Sequence, residues 1–527
     1  MRSVARCSDL CCAEGPEEGE SDDGDTWDES DSEDSFGILC SPECSWVSLL
    51  CALVLVFAVV VMKKTTQQEA PAVIEWWLTT ESGEWALSAQ PPLHWCTLGS
   101  CGTAGVIEVD DGVRYQEILG IGTSLEASTA FNLARLKRSV ARQILQSLFD
   151  VDRGIGFNLA RVTIGTSDFA PPPFYSLDDL ANASSSDPRL ESFSIAADEA
   201  VVLPLIWGAL NISRPAPASA DGLLLFASSW SPPAWMKDSH QLGGGSLLPQ
   251  YHQAYANYLV AFVKAYRSRG VAIHAMTVQN EPLQDWDRYP TTKWSPVAEA
   301  DVIARLGPAL MAAGLDTRIW CFDHNWNTIW YPATILLDRR ASAFVEGTAF
   351  HHYVGGPQNM TALHSQFPNK KIFFSEGSTF GVRGAAEIVE IFRNWASTYT
   401  AWVTMLDSTL GPNAGPFTPT PTMLMMDNKT LEVRYHFEFH MYGQFAKFVR
   451  RGARRIDSAW DSLPAKISHV AFVNSPDAGG SGNAGARVLV IVNEGGARNV
   501  QVRYRGAVSE VAHLPARSIA TLRWKSR

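Results

Sequence analysis

Two glutamates stand at the ends of apolar runs, 95 residues apart. The first, Glu281, lies in Met276-Thr-Val-Gln-Asn-Glu-Pro-Leu283, where a β-prone run from His274 to Val278 breaks into Gln279, Asn280 and Glu281 before Pro282. Proline has no N–H to give to a ladder, so the strand stops there and leaves an amide and a carboxyl at its C-terminal end. The second, Glu376, closes Lys371-Ile-Phe-Phe-Ser-Glu376 in the same way. Alone, an Asn-Glu-Pro is equally well explained by a strand and a turn. Two strand-end carboxyls are what double displacement at a sugar's anomeric carbon requires, one ionised to attack and one protonated to serve the leaving oxygen, about 5–5.5 Å apart. Carboxyls that close resist simultaneous ionisation, so such a pair keeps one proton and titrates as a unit.

Strand ends converge on one point when parallel strands close into a barrel. Between Gln116 and Arg450, strand-like runs alternate with helical stretches. The strands are expected at Glu117–Ile121, Asn158–Ile164, Leu223–Ala227, Ala275–Gln279, Arg318–Phe322, Thr348–Tyr353, Lys371–Ser375 and Ala401–Leu406. Helical periodicity marks Leu136–Phe149, Tyr251–Arg269, Ser295–Ala313, Ala385–Trp395 and Glu438–Arg450. This pattern predicts an α/β fold, a (β/α)8 TIM barrel over residues 113–450. A doubly wound sheet is the alternative; it needs a glycine-rich phosphate loop, and Gly120-Ile-Gly-Thr-Ser is a poor one. Short strands flank the barrel: Ile74–Thr80, Gly83–Leu87 and Val106–Val109 before it; Ile467–Val473, Val488–Asn493, Val500–Tyr504, Val511–Leu514 and Ser518–Trp524 after it. Neither set covers a core alone, so residues 74–112 and 451–527 are expected to share one β-sandwich.

The 527 residues are 46% hydrophobic and 19% charged, which suits a folded enzyme with a sizeable core. A net charge of −12 argues against nucleic acid as a partner. Much of that charge lies in residues 1–44, an acidic segment too poor in apolar residues to fold. The uncharged run Trp46–Met62 is expected to be a single transmembrane signal-anchor helix (residues 45–62), with a linker at 63–73. Lys63 and Lys64 would place the long C-terminal portion in the cytosol. Four sequons, at Asn182, Asn211, Asn359 and Asn428, argue for a lumenal or extracellular catalytic portion in an endomembrane or lysosome-like compartment. Cys96 and Cys101 could close a small loop there, leaving Cys321 free and buried.

With Thr277-Val-Gln-Asn-Glu-Pro282 and Phe374-Ser-Glu376 go Ser229-Trp-Ser-Pro-Pro-Ala-Trp-Met-Lys237, Phe350-His-His-Tyr353 and Phe157-Asn-Leu-Ala-Arg-Val162. On these motifs the chain resembles glycoside hydrolase family 30, the glucosylceramidase-like enzymes, over roughly Glu75 to Trp524. The resemblance implies that Glu281 is the general acid/base and Glu376 the nucleophile. It places Asn280 on the sugar 2-hydroxyl, Arg161 beside the nucleophile, Trp230 and Trp402 along the sugar pocket, and His351 and Tyr353 near the reaction centre. His352 stands where the glucosylceramidase branch has Trp, and no role is assigned to it. The first strand runs into Glu126, one position before that branch's sugar-binding Asp, so Glu126 is a candidate sugar contact. Val403 follows Trp402 where that branch has Asn. Asp323-His-Asn-Trp326 reads as a polar rim facing either the leaving group or solvent.

The function expected from this is a membrane-anchored retaining β-glycosidase, hydrolysing glucosylceramide to glucose and ceramide. A β-1,6-glucanase or another glycan hydrolase of the family is the alternative. A catalytically inactive carbohydrate-binding barrel is disfavoured by the retained Glu281, Glu376 and Asn280, and a receptor by an acidic tail without a folded signalling motif. No metal or organic cofactor is called for, because two carboxylates suffice. The expected partners are a glycolipid or glycan substrate and the membrane, with a lipid or protein activator left open.

Overall fold

The structure, a computed structural model of the chain, describes residues 73–96, 101, 104–182, 185–213, 221–417, 421–460 and 466–526. The acidic segment, the apolar run at 45–62 and the linker up to residue 72 lie outside these residues. Among the described residues no helix is long and apolar enough to cross a membrane.

Eight strands form the barrel: β1 (Gly120–Ser124), β2 (Leu159–Ile164), β3 (Leu224–Ser229), β4 (Ile273–Thr277), β5 (Arg318–Asn325), β6 (Val345–His351), β7 (Lys371–Glu376) and β8 (Thr398–Ala401). They run in chain order, every pair parallel, with β8 returning to pair with β1. Bridges from Ile372 to Ala396 and from Gly377 to Ala401 close the gap between β7 and β8. The alternation of strands with amphipathic helices thus produces a barrel and not an open sheet. Gly122 is required for closure: a Cβ there would meet the Leu159 carbonyl oxygen at 1.6 Å. The eighth strand is shorter than expected. It ends at Ala401, and Met405–Asp407 leaves to pair with Leu424–Met426 in a separate three-stranded sheet with Val433–Tyr435.

Inside the barrel, Leu159, Phe226, Ala275, Trp320, Ala349 and Phe373 form an apolar layer, with Trp320 stacked on Phe373 at 3.9 Å between ring centroids. Two residues further along β2, β3, β4, β6 and β7, the period-2 alternation raises Arg161, Ser228, Thr277, His351 and Ser375 on the same inward face. β5 departs from this spacing. Its register slips so that Ala349 faces Phe322 but Phe350 faces His324, and Phe322 and Asp323 adopt φ of +79° and +57°. This bulge brings Asp323, three residues after Trp320, into the polar layer.

The sandwich is one eleven-stranded sheet that includes Ile74–Thr80, Ser88–Leu93, Trp95–Cys96 and Gly105–Glu117 from before the barrel. Both flanks contribute, as the sequence indicates, with two corrections. Gly83–Leu87 is a turn leading into a strand at Ser88–Leu93. The strand expected at Val106–Val109 runs on to Glu117, so the sandwich extends past residue 113. Arg487–Asn493 shows how one strand serves two cores. Leu489 and Ile491 face the sandwich interior, whereas Val488, Val490 and Val492 pack with the barrel's helices. Cys96 is bonded to Cys101, and Cys321 is free and buried.

Candidate active site

The polar layer is built around two buried groups, Arg161 on β2 and Asp323 on β5. Arg161 spreads its guanidinium over four acceptors: Nη1 donates to Glu376 Oε2, Nη2 to Asn280 Oδ1 (2.7 Å) and Asp323 Oδ2 (2.9 Å), and Nε to Ser228 Oγ (3.0 Å). A planar fork with five donors is the side chain suited to this task. Asp323 accepts on Oδ2 from Arg161, Ser228 (2.8 Å) and Thr277 (2.6 Å), and on Oδ1 from Ser375 (2.5 Å) and His351 Nε2 (3.0 Å). Strands β2 to β7 are tied together by these two side chains.

Around that frame stand the predicted residues. Pro282 ends the β4 extension, Glu281 adopts φ of +46°, and its N–H donates to the Asp323 carbonyl oxygen at 3.0 Å. A left-handed glutamate is a strained backbone, retained where surrounding bonds fix it. His351 Nδ1 lies 3.2 Å from Glu281 Oε1 and 3.7 Å from Glu376 Oε1, so the two carboxyl oxygens can be no farther apart than those distances together. Tyr353 donates its hydroxyl to Glu376 Oε1 at 2.7 Å. Trp230 and Trp402 stack at 5.2 Å with planes 20° apart, and the Arg161 guanidinium sits 4.7 Å and 5.4 Å from their centroids. Away from water such cation–π contacts contribute about 2 kcal/mol. One site thus gathers Glu281, Glu376, Asn280, Arg161, Trp230, His351, Tyr353 and Trp402.

Burial disfavours charge throughout the cluster, but paired groups overcome it. Burial pushes the Asp323 carboxyl up, yet Arg161, His351 and Ser375 hold it well below the usual carboxylate range. Burial likewise opposes a charged His351, but the Glu376, Asp323 and Glu281 carboxylates outweigh it and raise the imidazole to about 10. For Glu281, the close approach of the His324 and His351 rings overcomes burial and lowers the carboxyl. Across the 3.2 Å between them, the proton therefore rests on His351 and not on Glu281.

A family model for the glycosyl hydrolase family 30 TIM-barrel domain matches residues 118–449, and one for that family's β-sandwich domain matches 452–522. The chain belongs to glycosyl hydrolase family 30. It is similar to the endo-1,6-β-D-glucanase of Neurospora crassa, 30% identical over 402 residues covering 73% of this chain and 80% of that protein. It is also similar to the lysosomal acid glucosylceramidase of Mus musculus, 30% identical over 425 residues covering 74% and 78%. Among solved structures, an endo-β1,6-glucanase superposes with a TM-score of 0.75 at 25% identity, covering 87% of this chain and all of that one. The chain is a glycoside hydrolase of this family.

Two sequence expectations are corrected here. Glu126 is not among the residues gathered around Arg161 and Asp323. It is buried at the N-cap of the helix Ala127–Ala134, with Oε2 taking the Ser124 hydroxyl and Oε1 the Thr129 N–H and hydroxyl. An N-cap acceptor serves unpaired helix N–H groups, and here it uses up the carboxylate. Asp323 to Trp326 is not a solvent rim either, because all four residues are buried. Sequence reasoning missed Asp168 and Tyr289. Asp168 follows the end of β2; burial and the Glu376 and Glu281 carboxylates push its carboxyl well above the usual range. Tyr289 packs with Phe169, Trp230 and Trp402, and burial together with Asp168, Glu281 and Glu376 raises its phenol. A polar residue just past a barrel strand was the available signal for Asp168. His352 pairs with Glu387 at 2.9 Å and accepts from the Ser378 N–H, which accounts for it structurally. Among the described residues one cluster has metal-ligand geometry, Glu281 with His324 and His351.

Proposed function

We propose that the chain is a retaining hydrolase of β-D-glucosidic bonds, with Glu376 as nucleophile and Glu281 as acid/base. The observation that carries this reading is the approach of His351 Nδ1 to both carboxyls, 3.2 Å and 3.7 Å. That upper bound includes the separation of about 5–5.5 Å used for direct attack and leaves out most of the inverting range of about 6.5–9.5 Å, which accommodates a water. Glu376, bonded to Arg161 and oriented by Tyr353, attacks the anomeric carbon. As the bond to the aglycone breaks, Glu281 gives its proton to the leaving oxygen. His351 holds that proton in the free enzyme, and closing the sugar over Glu281 removes water and favours its transfer to the carboxyl. Water then attacks the glucosyl-enzyme, with Glu281 taking up the water's proton. The Asn280 amide, its Oδ1 fixed by Arg161, offers Nδ2 to the 2-hydroxyl. Trp230, Trp402 and Asp168 complete the glucose pocket.

Glucosylceramide is the substrate this reading favours, because Trp286, Tyr353 and Val354 leave exposed apolar surface in the loops after β4 and β6, suited to a lipid aglycone. A β-1,6-linked glucan is the second reading, favoured by the likeness to the Neurospora crassa enzyme. Its sequons support a lumenal or extracellular compartment for the catalytic portion.

The deciding experiment compares hydrolysis of glucosylceramide in mixed micelles with that of a β-1,6-glucan by the purified full-length chain, with Glu376→Gln as control. Lipid cleavage lost in the variant supports the first reading. Cleavage of the glucan alone replaces the substrate and keeps the mechanism.

A further inference from the structure

Glu281 Oε1 stands 3.2 Å from His351 Nδ1 and 3.4 Å from His324 Nδ1, and the three ligand atoms lie within 4.8 Å of one another. His351 is held for this arrangement, with its other nitrogen 3.0 Å from Asp323 Oδ1, itself fixed by Arg161, Ser228, Thr277 and Ser375. His324 is the telling member. It is only 5% exposed, and its Nδ1, directed at Glu281, has no hydrogen-bond partner among the described residues. A buried imidazole nitrogen left without a hydrogen bond calls for an explanation. The two rings meet nearly edge to face, with planes 88° apart.

We infer that Glu281, His324 and His351 form a binding site for one late first-row divalent cation, Zn2+ or Cu2+, which inhibits the enzyme. Donors around a tetrahedral zinc at about 2.0–2.2 Å lie roughly 3.3–3.6 Å from each other, close to the two distances to Glu281. Two imidazoles and a carboxylate suit these borderline ions better than Ca2+ or Mg2+, which prefer oxygen. The Asp323–His351 pair supplies the carboxylate that commonly orients a metal-bound histidine. A bound ion would displace to solvent the proton that His351 holds toward Glu281, and would occupy the Glu281 oxygen that the leaving group needs. The binding claim stands on geometry alone, whereas the inhibition claim rests on the proposed role of Glu281.

The test uses the full-length chain, freed of metal by a chelator. Equilibrium dialysis with Zn2+ should give one ion per chain, and Cu2+ at equal concentration should give an electron paramagnetic resonance spectrum with two nitrogen couplings. His324→Asn should remove one coupling and weaken Zn2+ binding about tenfold or more. Glu281→Gln should weaken it while keeping both couplings. Unchanged thermal unfolding midpoints would show that these variants fold. Unchanged spectra and affinities in both variants would overturn the site. Binding as described without inhibition of wild-type hydrolysis would overturn the inhibitory claim and count against Glu281 as acid/base, leaving the site in place.

Discussion

The Nε2 of His351 lies 3.0 Å from Oδ1 of Asp323, and this contact turns the opposite nitrogen of the same ring toward Glu281. Asp323 contacts neither carboxyl of the proposed catalytic pair in this arrangement, yet it positions groups beside both: Arg161 for Glu376 and His351 for Glu281.

Replacing Asp323 by Asn should therefore cost more than one hydrogen bond. The amide cannot accept from all five donors, and Arg161 loses a buried counter-charge. Removing one member of a buried ion pair typically costs about 3–5 kcal/mol, which denaturant unfolding would measure. In whatever folds, misplacement of Arg161 and His351 should lower kcat by about 10²-fold.

The pH dependence follows from His351. Its imidazole is raised from 6.5 to about 10 by Glu376, Asp323 and Glu281 against the effect of burial. A raised cationic group stabilises the fold fully below its unfolded pKa and ceases to do so as pH passes its folded value. Unfolding free energy should thus fall between pH 6.5 and about 10 and fall less in His351→Phe. If His351 stores the proton used by Glu281, the alkaline limb of kcat/KM should move to lower pH in that variant, and a pH–rate profile checks this.

Glu126 separates a structural carboxyl from a catalytic one. Burial raises it to about 7 despite bonds from Ser124 and Thr129. A raised acid loses stabilisation as pH climbs from 4.5 through 7. Glu126→Gln should therefore flatten the dependence of stability on pH over that range. At pH 5 it should cost about 1 kcal/mol through the weakened cap. KM for a small β-glucoside should not change.

How much of this could be read in the sequence depends on whether the signal was local. Glu281 and Glu376 were legible because each ends an apolar run, and the helix Pro296–Ala312 because Ser295 caps it with proline next in the chain. The barrel strands were legible from alternation, with ends displaced by a few residues where turns decide. Asp323 was misread because its inward direction comes from a bulge, a pairing property invisible to periodicity. Glu126 was misread because a strand-end acid and an N-cap acid look alike until the helix behind them is known. Met405–Asp407 was merged with β8 because both are short apolar runs, and only their different partners separate them.

The sequons test the compartment. Asn211 and Asn428 are exposed, whereas Asn359 is half-buried and spends its Nδ2 on the Trp326 carbonyl at 3.0 Å. Expressed through a eukaryotic secretory route, the chain should carry glycans at Asn211 and Asn428 and not at Asn359, as glycopeptide mass spectrometry would show. Absence of glycans at all of these positions would remove the support for a lumenal barrel.

The central claim is that Glu376 forms a covalent bond with the sugar while Glu281 handles the proton. Incubation with a 2-deoxy-2-fluoro-β-glucosyl fluoride, then proteolysis and mass spectrometry, tests it most directly. The account predicts a single fluoroglucosyl adduct on Glu376, formed in step with loss of activity and absent in Glu376→Gln. An adduct on another residue, or continued hydrolysis of the reagent with inversion and no adduct, would contradict it.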